Sequence, residues 1–267
     1  MHKGDMKNVL PKLLCCAALT IFAAFPSNLN AALLVTYDFA SEDGDQAVTA
    51  VDTTLTNISA SGISRGAAYT TVIGAAFADE GMGVKAGETT SDFLTAGYSF
   101  QDAVDGNGYF ELTVTADLGF SMSIDSIDLA VRRASNKTGP NFLGVRSSLD
   151  SYTADLVSGV SNTGTQADPT DQNLDFGSLL QNITGSVTLR FYGYGRNNTN
   201  TSYGLWVVSN SSVGDEFAVN GTVSPVPEPS VTFLLGFAVL GFVVLRKRRV
   251  SRQPERIRVI GGFPNGP

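Results

Sequence analysis

The central part of this chain, residues 33–223, is a series of short β-prone runs separated by clusters of Gly, Asn, Asp and Ser. Such clusters mark turns, and no run has the 3.6-residue apolar period of an amphipathic helix. In residues 110–115 apolar and polar side chains alternate, as in a strand with one buried face. The predicted strands are 33–39, 68–73, 93–100, 109–117, 121–133, 142–148, 152–157, 186–194, 203–208 and 216–223. They predict an all-β fold, a single antiparallel β-sandwich of the jelly-roll kind.

The charge of this central part excludes one class of partner. The whole chain has a net charge of -7, but both ends are basic. Residues 33–224 alone hold 8 Lys/Arg against 22 Asp/Glu, a net charge of -14. An acidic surface of this kind repels nucleic-acid backbones and anionic headgroups. We therefore expect no nucleic-acid partner, and we interpret the charge as a property that keeps the domain soluble.

The N-terminus has the pattern of a secretory signal peptide over residues 1–32. Three lysines precede the apolar run 13–25, and small residues follow at 31–32. The run has 13 residues, which suits a signal peptide read by the Sec translocon better than a spanning helix. Both cysteines and the single histidine of the chain lie in this segment. Its removal leaves no thiol and no imidazole, which excludes disulfides, thiolate chemistry and a histidine-based triad.

Two short motifs match catalytic or nucleotide-binding signatures without their usual surroundings. Residues 62–66 (GISRG) match the G-x-S-x-G nucleophile elbow, which needs a general base, normally histidine, and a following helix. Residues 81–86 match G-x-G-x-x-A but lack the βαβ context of a dinucleotide site, so they are predicted to form a turn. Neither motif predicts a catalytic residue, and the chain is not expected to be an enzyme.

Calcium is the candidate metal, because a body without Cys or His offers only oxygen ligands. The candidate ligands, in or beside the predicted loop 158–173, are Asp168, Asp171, Asn173 and Asp175. Three of them have the 1, 3, 5 spacing of a calcium loop, but Phe176 stands where the turn glycine belongs. Acidic turns are common without a metal, and a second one holds Asp102 and Asp105. The sequence therefore predicts no obligatory cofactor and one candidate site for structural Ca²⁺.

An aromatic platform for sugars is a further candidate site. Its residues are Tyr192, Tyr194 and Trp206, and the two tyrosines share one face of the predicted strand 186–194. The alternative interpretation is that these aromatic residues belong to the core. Two carboxylates ~5–9 Å apart would instead suit glycoside hydrolysis, although no pair is marked by its pattern.

The segment 224–249 combines three elements in a fixed order. Val226-Pro227-Glu228-Pro229-Ser230 precede the apolar run 231–245, and Arg246-Lys247-Arg248-Arg249 follow it. As a single transmembrane helix the run would be about 22 Å long, short of the ~30 Å hydrocarbon core. The stems of the flanking basic residues make up part of this deficit. The basic cluster predicts that this end stays cytoplasmic while the acidic body lies outside.

These three elements resemble the PEP-CTERM sorting signal of Gram-negative bacteria. The resemblance covers about 25 residues. It implies export, transient insertion in the inner membrane and processing by an exosortase near Pro227-Glu228-Pro229. Proteins with this signal reach the cell surface or the exopolysaccharide matrix. This chain departs from the pattern because residues 250–267 continue beyond the basic cluster, and we predict that this tail is disordered.

Two functional hypotheses follow for the body between the two signals. The first is a non-enzymatic protein of the surface or matrix, either structural or carbohydrate-binding, with exopolysaccharide as the partner. The alternative is a secreted polysaccharide hydrolase or lyase that uses carboxylates, or Tyr, Lys and Arg, on the same scaffold.

Overall fold

The computed structural model describes residues 32–40, 42–69, 81–86, 98–133, 139–165, 167–195, 204–212 and 216–227. The predictions for the signal peptide before residue 32, and for the apolar run, basic cluster and tail after residue 227, lie outside the described residues. No helix in the described ranges is long and apolar enough to cross a membrane.

Within these ranges the regular structure is almost entirely β, as the alternating pattern predicts. The strands are β1 (Ala32–Tyr37), β2 (Val48–Thr49), β3 (Thr53–Thr54), β4 (Ile58–Ala60), β5 (Ile63–Arg65), β6 (Met82–Ala86), β7 (Tyr109–Ala116), β8 (Phe120–Arg133), β9 (Phe142–Ser147), β10 (Asp155–Ser161), β11 (Thr170–Asp175), β12 (Ser186–Tyr194), β13 (Gly204–Ser209) and β14 (Phe217–Pro225). A short helix, α1 (Phe100–Asp105), precedes β7, and a 3-10 turn, Ser148–Asp150, follows β9.

The strands form two antiparallel sheets. The first sheet has the order β3-β1-β14-β8-β13-β6, and β11 also pairs with β8. The second has the order β10-β9-β12-β7-β5-β2, and β4 also pairs with β7. Eight of these strands make the sets β1-β14-β8-β11 and β7-β12-β9-β10. Following these eight strands along the chain, each strand lies in the opposite set from the one before it, except that β9 and β10 form a hairpin within one set. This alternation between two sheets is the connectivity of a jelly roll.

The inner faces of the two sheets share one hydrophobic core. Along β7 and β12 every second side chain is apolar and buried, because the side-chain period of a strand is two. Phe191 of the second sheet meets Phe217 of the first edge to face, with 5.8 Å between ring centroids. Phe217 also contacts Tyr37 at 5.6 Å. These rings join the two layers into a sandwich-like body.

The region around Phe100 differs from its prediction as part of a strand. Ser99 and Asp102 form a capping box, in which the Ser99 hydroxyl accepts from the Asp102 N–H and the Asp102 carboxylate accepts from the Ser99 N–H at 2.8 Å. The hydrogen bonds that the Asp102 carboxylate accepts from the N–H and from the hydroxyl of Ser99 lower the pKa of Asp102. The acidic turn that contains Asp102 and Asp105 is thus part of helix α1.

The segment after β9 also differs from its prediction. The predicted strand 152–157 begins later, at Asp155, because Ser151 and Tyr152 have positive φ angles of 61° and complete a tight turn. The predicted loop 158–173 is shorter, since β10 runs to Ser161 and β11 begins at Thr170. Backbone pairing with β8 makes β11 a strand despite its polar sequence.

We expect Phe217→Ala to lower the free energy of unfolding by about 3–5 kcal/mol, because it removes the ring that joins the sheets. Denaturant titration measures this loss. Val48→Ala is the control, since Val48 is 53% exposed and its change should stay within about 0.5 kcal/mol. Equal effects at both positions would contradict the shared core.

The Tyr37 hydroxyl makes the stability of the fold depend on pH in the alkaline range. It donates to the Ser61 carbonyl at 2.7 Å, and burial raises its pKa well above the ordinary value of about 10. Above about pH 10 the unfolded chain releases the phenolic proton while the folded chain keeps it, so stability falls as pH rises. We expect Tyr37→Phe to cost about 1 kcal/mol at neutral pH and to flatten this fall. Unfolding midpoints from about pH 8 to 11 test it, and an unchanged slope would contradict it.

Candidate functional site

The last strand of the sandwich leads directly into the sequence predicted to be a sorting signal. β14 ends at Pro225, which pairs with Phe120 at the start of β8. The next residue, Val226, donates its N–H to the carbonyl of Gly119 at 2.8 Å, and Pro227 is exposed. The other residues of the predicted motif, Glu228, Pro229, Ser230, Arg246, Lys247, Arg248 and Arg249, lie outside the described part. The fold thus delivers the motif from an exposed end of a paired strand.

The second sheet has a polar outer face opposite the core. The outward residues of its two central strands are Tyr109, Glu111, Thr113 and Thr115 on β7, and Ser186, Thr188, Arg190 and Tyr192 on β12. We call these eight residues the outer strip. They lie opposite one another in register, so that Thr113 and Thr188 share a hydrogen bond of 2.7 Å. The outer strip therefore carries hydroxyl groups at one end and aromatic and charged groups at the other.

Arg190 organises the charged end of the outer strip. Its Nε donates to Glu111 Oε2 at 3.0 Å, and its guanidinium lies 4.0 Å from the ring centre of Tyr109 and 3.9 Å from that of Tyr152. The side chains of Arg190 and Glu111 keep 22% and 30% of their exposure. Cation–π contacts and a charge-assisted hydrogen bond hold the guanidinium beside the two rings. A ligand at this surface meets a fixed ion pair with an aromatic border.

Tyr109 is a neutral group at this site. Burial raises its pKa, the charge of Glu111 raises it further, and the charge of Arg190 partly opposes them. At neutral pH the phenol therefore keeps its proton and can donate a hydrogen bond, but it is not a ready general base.

Helix α1 covers the end of this face that contains Tyr192. The predicted sugar platform is therefore wrong as an exposed surface. Phe100 lies 5.5 Å from the ring of Tyr192 and stacks on Tyr194 at 5.0 Å. Tyr192 is consequently 1% exposed, and Tyr194 is half-buried and accepts from the Gly159 N–H through its hydroxyl. The strand of Trp206 belongs to the other sheet, and its side chain lies outside the described residues. The three residues do not form one exposed platform.

The aromatic residues that flank Arg190 are Tyr109, which keeps 8% of its exposure, and Tyr152, which is half-buried. The pattern of β7 contained one signal for this, because Tyr109 and Glu111 fall on the same face. Tyr152 and Arg190 reach that face only through the fold, since the turn after β9 brings Tyr152 to β12.

The four candidate calcium ligands do not converge on one point. Asp171, Asn173 and Asp175 lie along the extended strand β11, where alternate residues are about 7 Å apart, whereas ligands of one Ca²⁺ lie ~2.3–2.6 Å from the ion. Their side chains bind Ser212, Asp128 and the Gly177 N–H respectively, and Asp168 pairs with Thr165 through the backbone. In the ranges that the structure describes, no group of three or more His, Cys, Asp or Glu residues could hold a metal. The 1, 3, 5 spacing reflects strand alternation here.

The two signature-like motifs are structural. Residues 62–66 contain β5, whose Arg65 donates to the backbone carbonyls of Gly44 at 2.6 Å and Gly83 at 3.1 Å. Because Gly83 belongs to the first sheet, Arg65 links the edges of the two layers, and burial lowers its pKa. Residues 82–86, predicted as a turn, are strand β6, which pairs with β13.

Comparison with known proteins identifies the C-terminal segment. A family model described as the PEP-CTERM protein-sorting motif matches residues 225–249, beginning at the last residue of β14. No curated protein matches the chain. A solved structure titled Kashmir bee virus empty particle at acidic pH shares 11% identity, with 78% of this chain and 98% of that chain covered, at a TM-score of 0.19, and it supports no inference. The chain thus carries the PEP-CTERM protein-sorting motif at its C-terminal end, and this motif implies export by a Gram-negative bacterium, processing by an exosortase and a cell-surface or extracellular location.

Proposed function

We propose that the protein is a non-enzymatic module of the cell surface or exopolysaccharide matrix, and that it binds polysaccharide through the outer strip. The apolar run 231–245 holds the chain in the inner membrane for a time, with the basic residues 246–249 on the cytoplasmic side. An exosortase then acts near residues 227–229. The sandwich is the cargo that remains outside.

The junction between strand β14 and the motif carries the first half of this proposal. The family match begins at Pro225, where β14 ends, so the folded body precedes the motif without an intervening linker. The last residues of β14, from Thr222 to Pro225, pair with β8, which makes the end of the strand part of the folded body. An extended, proline-rich segment after such a strand is accessible to a processing enzyme.

The chemistry of the outer strip supports the second half. Sugars offer hydroxyl groups to charged and polar partners and apolar ring faces to aromatic side chains. Along β7 the strip provides Glu111 and the hydroxyls of Thr113 and Thr115, and Tyr152 borders the charged end. The open part of the strip, from Glu111 to Thr115, spans four residue steps or about 13 Å, which suits a short stretch of a chain-like ligand.

The state of the same groups favours binding over catalysis. Glu111 is engaged by Arg190, and Tyr109 has a raised pKa. A hydrolase or lyase at this site would need one of them as a free base or acid. The engaged carboxylate and the neutral phenol therefore support the non-enzymatic proposal.

We expect Glu111→Gln to weaken retention on exopolysaccharide from the producing bacterium by about tenfold, because it removes the charged acceptor for sugar hydroxyls. Asp175→Asn, the same change on an exposed carboxylate of β11, is the control and should leave retention unchanged. Affinity electrophoresis measures both variants.

Two results would contradict the binding hypothesis. The first is equal retention of the two variants and the unchanged protein. The second is release of reducing ends or unsaturated sugars from the polysaccharide, which would favour the hydrolase or lyase.

Intact mass of the surface-released protein tests the sorting hypothesis. We expect a product that lacks residues 231–245, and we expect Glu228→Ala to leave the chain in the membrane fraction, because the substitution removes the acidic residue of the motif. Glu255→Ala, the matched change in the tail, should leave release unaffected. A released product that still contains 231–245 would contradict removal of the segment.

A further inference from the structure

An exposed apolar surface lies where the chain leaves the sandwich. Leu118, in the turn between β7 and β8, is fully exposed, and Val226 keeps 37% of its exposure. Together with Ala116 and Phe120 they line an open hollow of about 530 Å³. We call residues 117–120 and Val226 the tip. Its side chains are apolar except for Asp117, in a domain whose surface is otherwise strongly acidic.

Backbone hydrogen bonds hold the tip in shape. The Phe120 N–H closes the turn onto the Asp117 carbonyl at 3.0 Å, and the Asp117 N–H binds the Asn57 carbonyl at 3.0 Å. Gly119 has a φ of +87°, which the turn requires, and its carbonyl accepts from Val226 at 2.8 Å. The exposed Leu118 is therefore presented by an ordered turn that is fastened to the C-terminal strand.

The distance from the tip to the apolar run is short. Four residue steps separate Pro227 from Val231, and they can span at most about 14 Å. The headgroup region accounts for roughly 5–8 Å of this on each side of the hydrocarbon core. The 15-residue run is also shorter than the core, so the residues that flank it are drawn toward the bilayer. Any insertion of 231–245 thus holds the tip at or just above the headgroups.

We infer that the tip is a lipid-docking surface, which rests in the headgroup region with Leu118 toward the acyl chains while residues 231–245 are inserted. This inference rests on the membrane insertion of the proposed function. In the bilayer interface Leu118 buries apolar area that is otherwise exposed to water. The inserted run 231–245 tethers the domain to the membrane, so this contact needs no separate association step. Because the body has a net charge of -14, the fitting surface is a zwitterionic bilayer.

Docking at the tip would orient the whole domain. Glu111 lies five residues above Ala116 along β7, about 17 Å from the tip end of the strand. The charged end of the outer strip therefore stands clear of the headgroups and faces the surroundings of the cell. Residues 227–230 are held at the membrane surface, where an enzyme of the same membrane would meet them.

The test uses the full chain in phosphatidylcholine vesicles, with Cys15→Ser and Cys16→Ser so that one new cysteine can be labelled. Leu118→Cys carries an environment-sensitive fluorophore, and Val48→Cys, at another exposed apolar residue, is the matched control. Val48 pairs with Ser64, which pairs with Glu111, so Val48 lies at the same height in the sheet as Glu111, away from the tip. We expect a blue shift of the emission, and quenching by nitroxide on the lipid acyl chains, at position 118 but not at position 48. Flotation of the vesicles reports insertion separately.

The outcomes separate the two proposals. If the protein floats with the vesicles but the fluorophore at position 118 emits as it does in water, lipid docking is overturned while insertion stands. Docking of the tip on a processing enzyme would then be a different hypothesis. Loss of flotation in the unchanged chain overturns insertion and the inference with it. Leu235→Arg combined with Val239→Arg, inside the apolar run, should abolish flotation and return the fluorophore at position 118 to water. Equal unfolding midpoints of the labelled variants show that the fold is retained.

Discussion

The burial of alternate side chains between the two sheets is the constraint on which the rest of the structure depends. Phe191 and Phe217 contact each other across the two layers. This contact fixes the face of the sheet to which the neighbouring side chains in each strand point. Because successive side chains point to opposite faces, burying Phe110 and Phe191 turns Glu111 and Arg190 outward on adjacent strands. The polar surface of the second sheet is thus a consequence of the core. A slip of one residue in either strand would turn the charged residue of that strand into the core and its phenylalanine out to solvent.

The outer face differs along its length because one end is covered. Helix α1 packs Phe100 on Tyr192 and Tyr194, and Arg146 lies 4.8 Å from the centre of the Phe100 ring. This small second cluster removes from the surface the tyrosines that looked most suited to sugar stacking. What remains open is the region around Arg190 and the threonine hydroxyls below it. Recognition on this face would therefore depend on polar groups with an aromatic border, not on a broad aromatic platform.

The two ends of the sandwich have separate roles in this view of the molecule. At one end lies the covered aromatic cluster, and at the other the chain leaves β14 beside the turn of Leu118. The last residues of β14, 222–225, pair with residues 120–123 of β8, so the sorting motif begins directly beside a hydrogen-bonded pair of strands. When residues 231–245 are inserted as proposed, the tip is the part of the body that the motif brings nearest to the membrane.

Local features were predictable from the order of the residues: the all-β class, the limits of β12, the acidic body and the sorting motif. The sequence also contained, unrecognised, the S-x-x-D capping signal of α1 at Ser99 and Asp102. These features depend on neighbouring residues, so alternation and short motifs predict them. Long-range contacts, by contrast, bury Tyr192, make β11 a strand and pair Arg190 with Glu111, 79 residues away. Those outcomes depend on which strands become neighbours, and the period of a single strand does not contain that information.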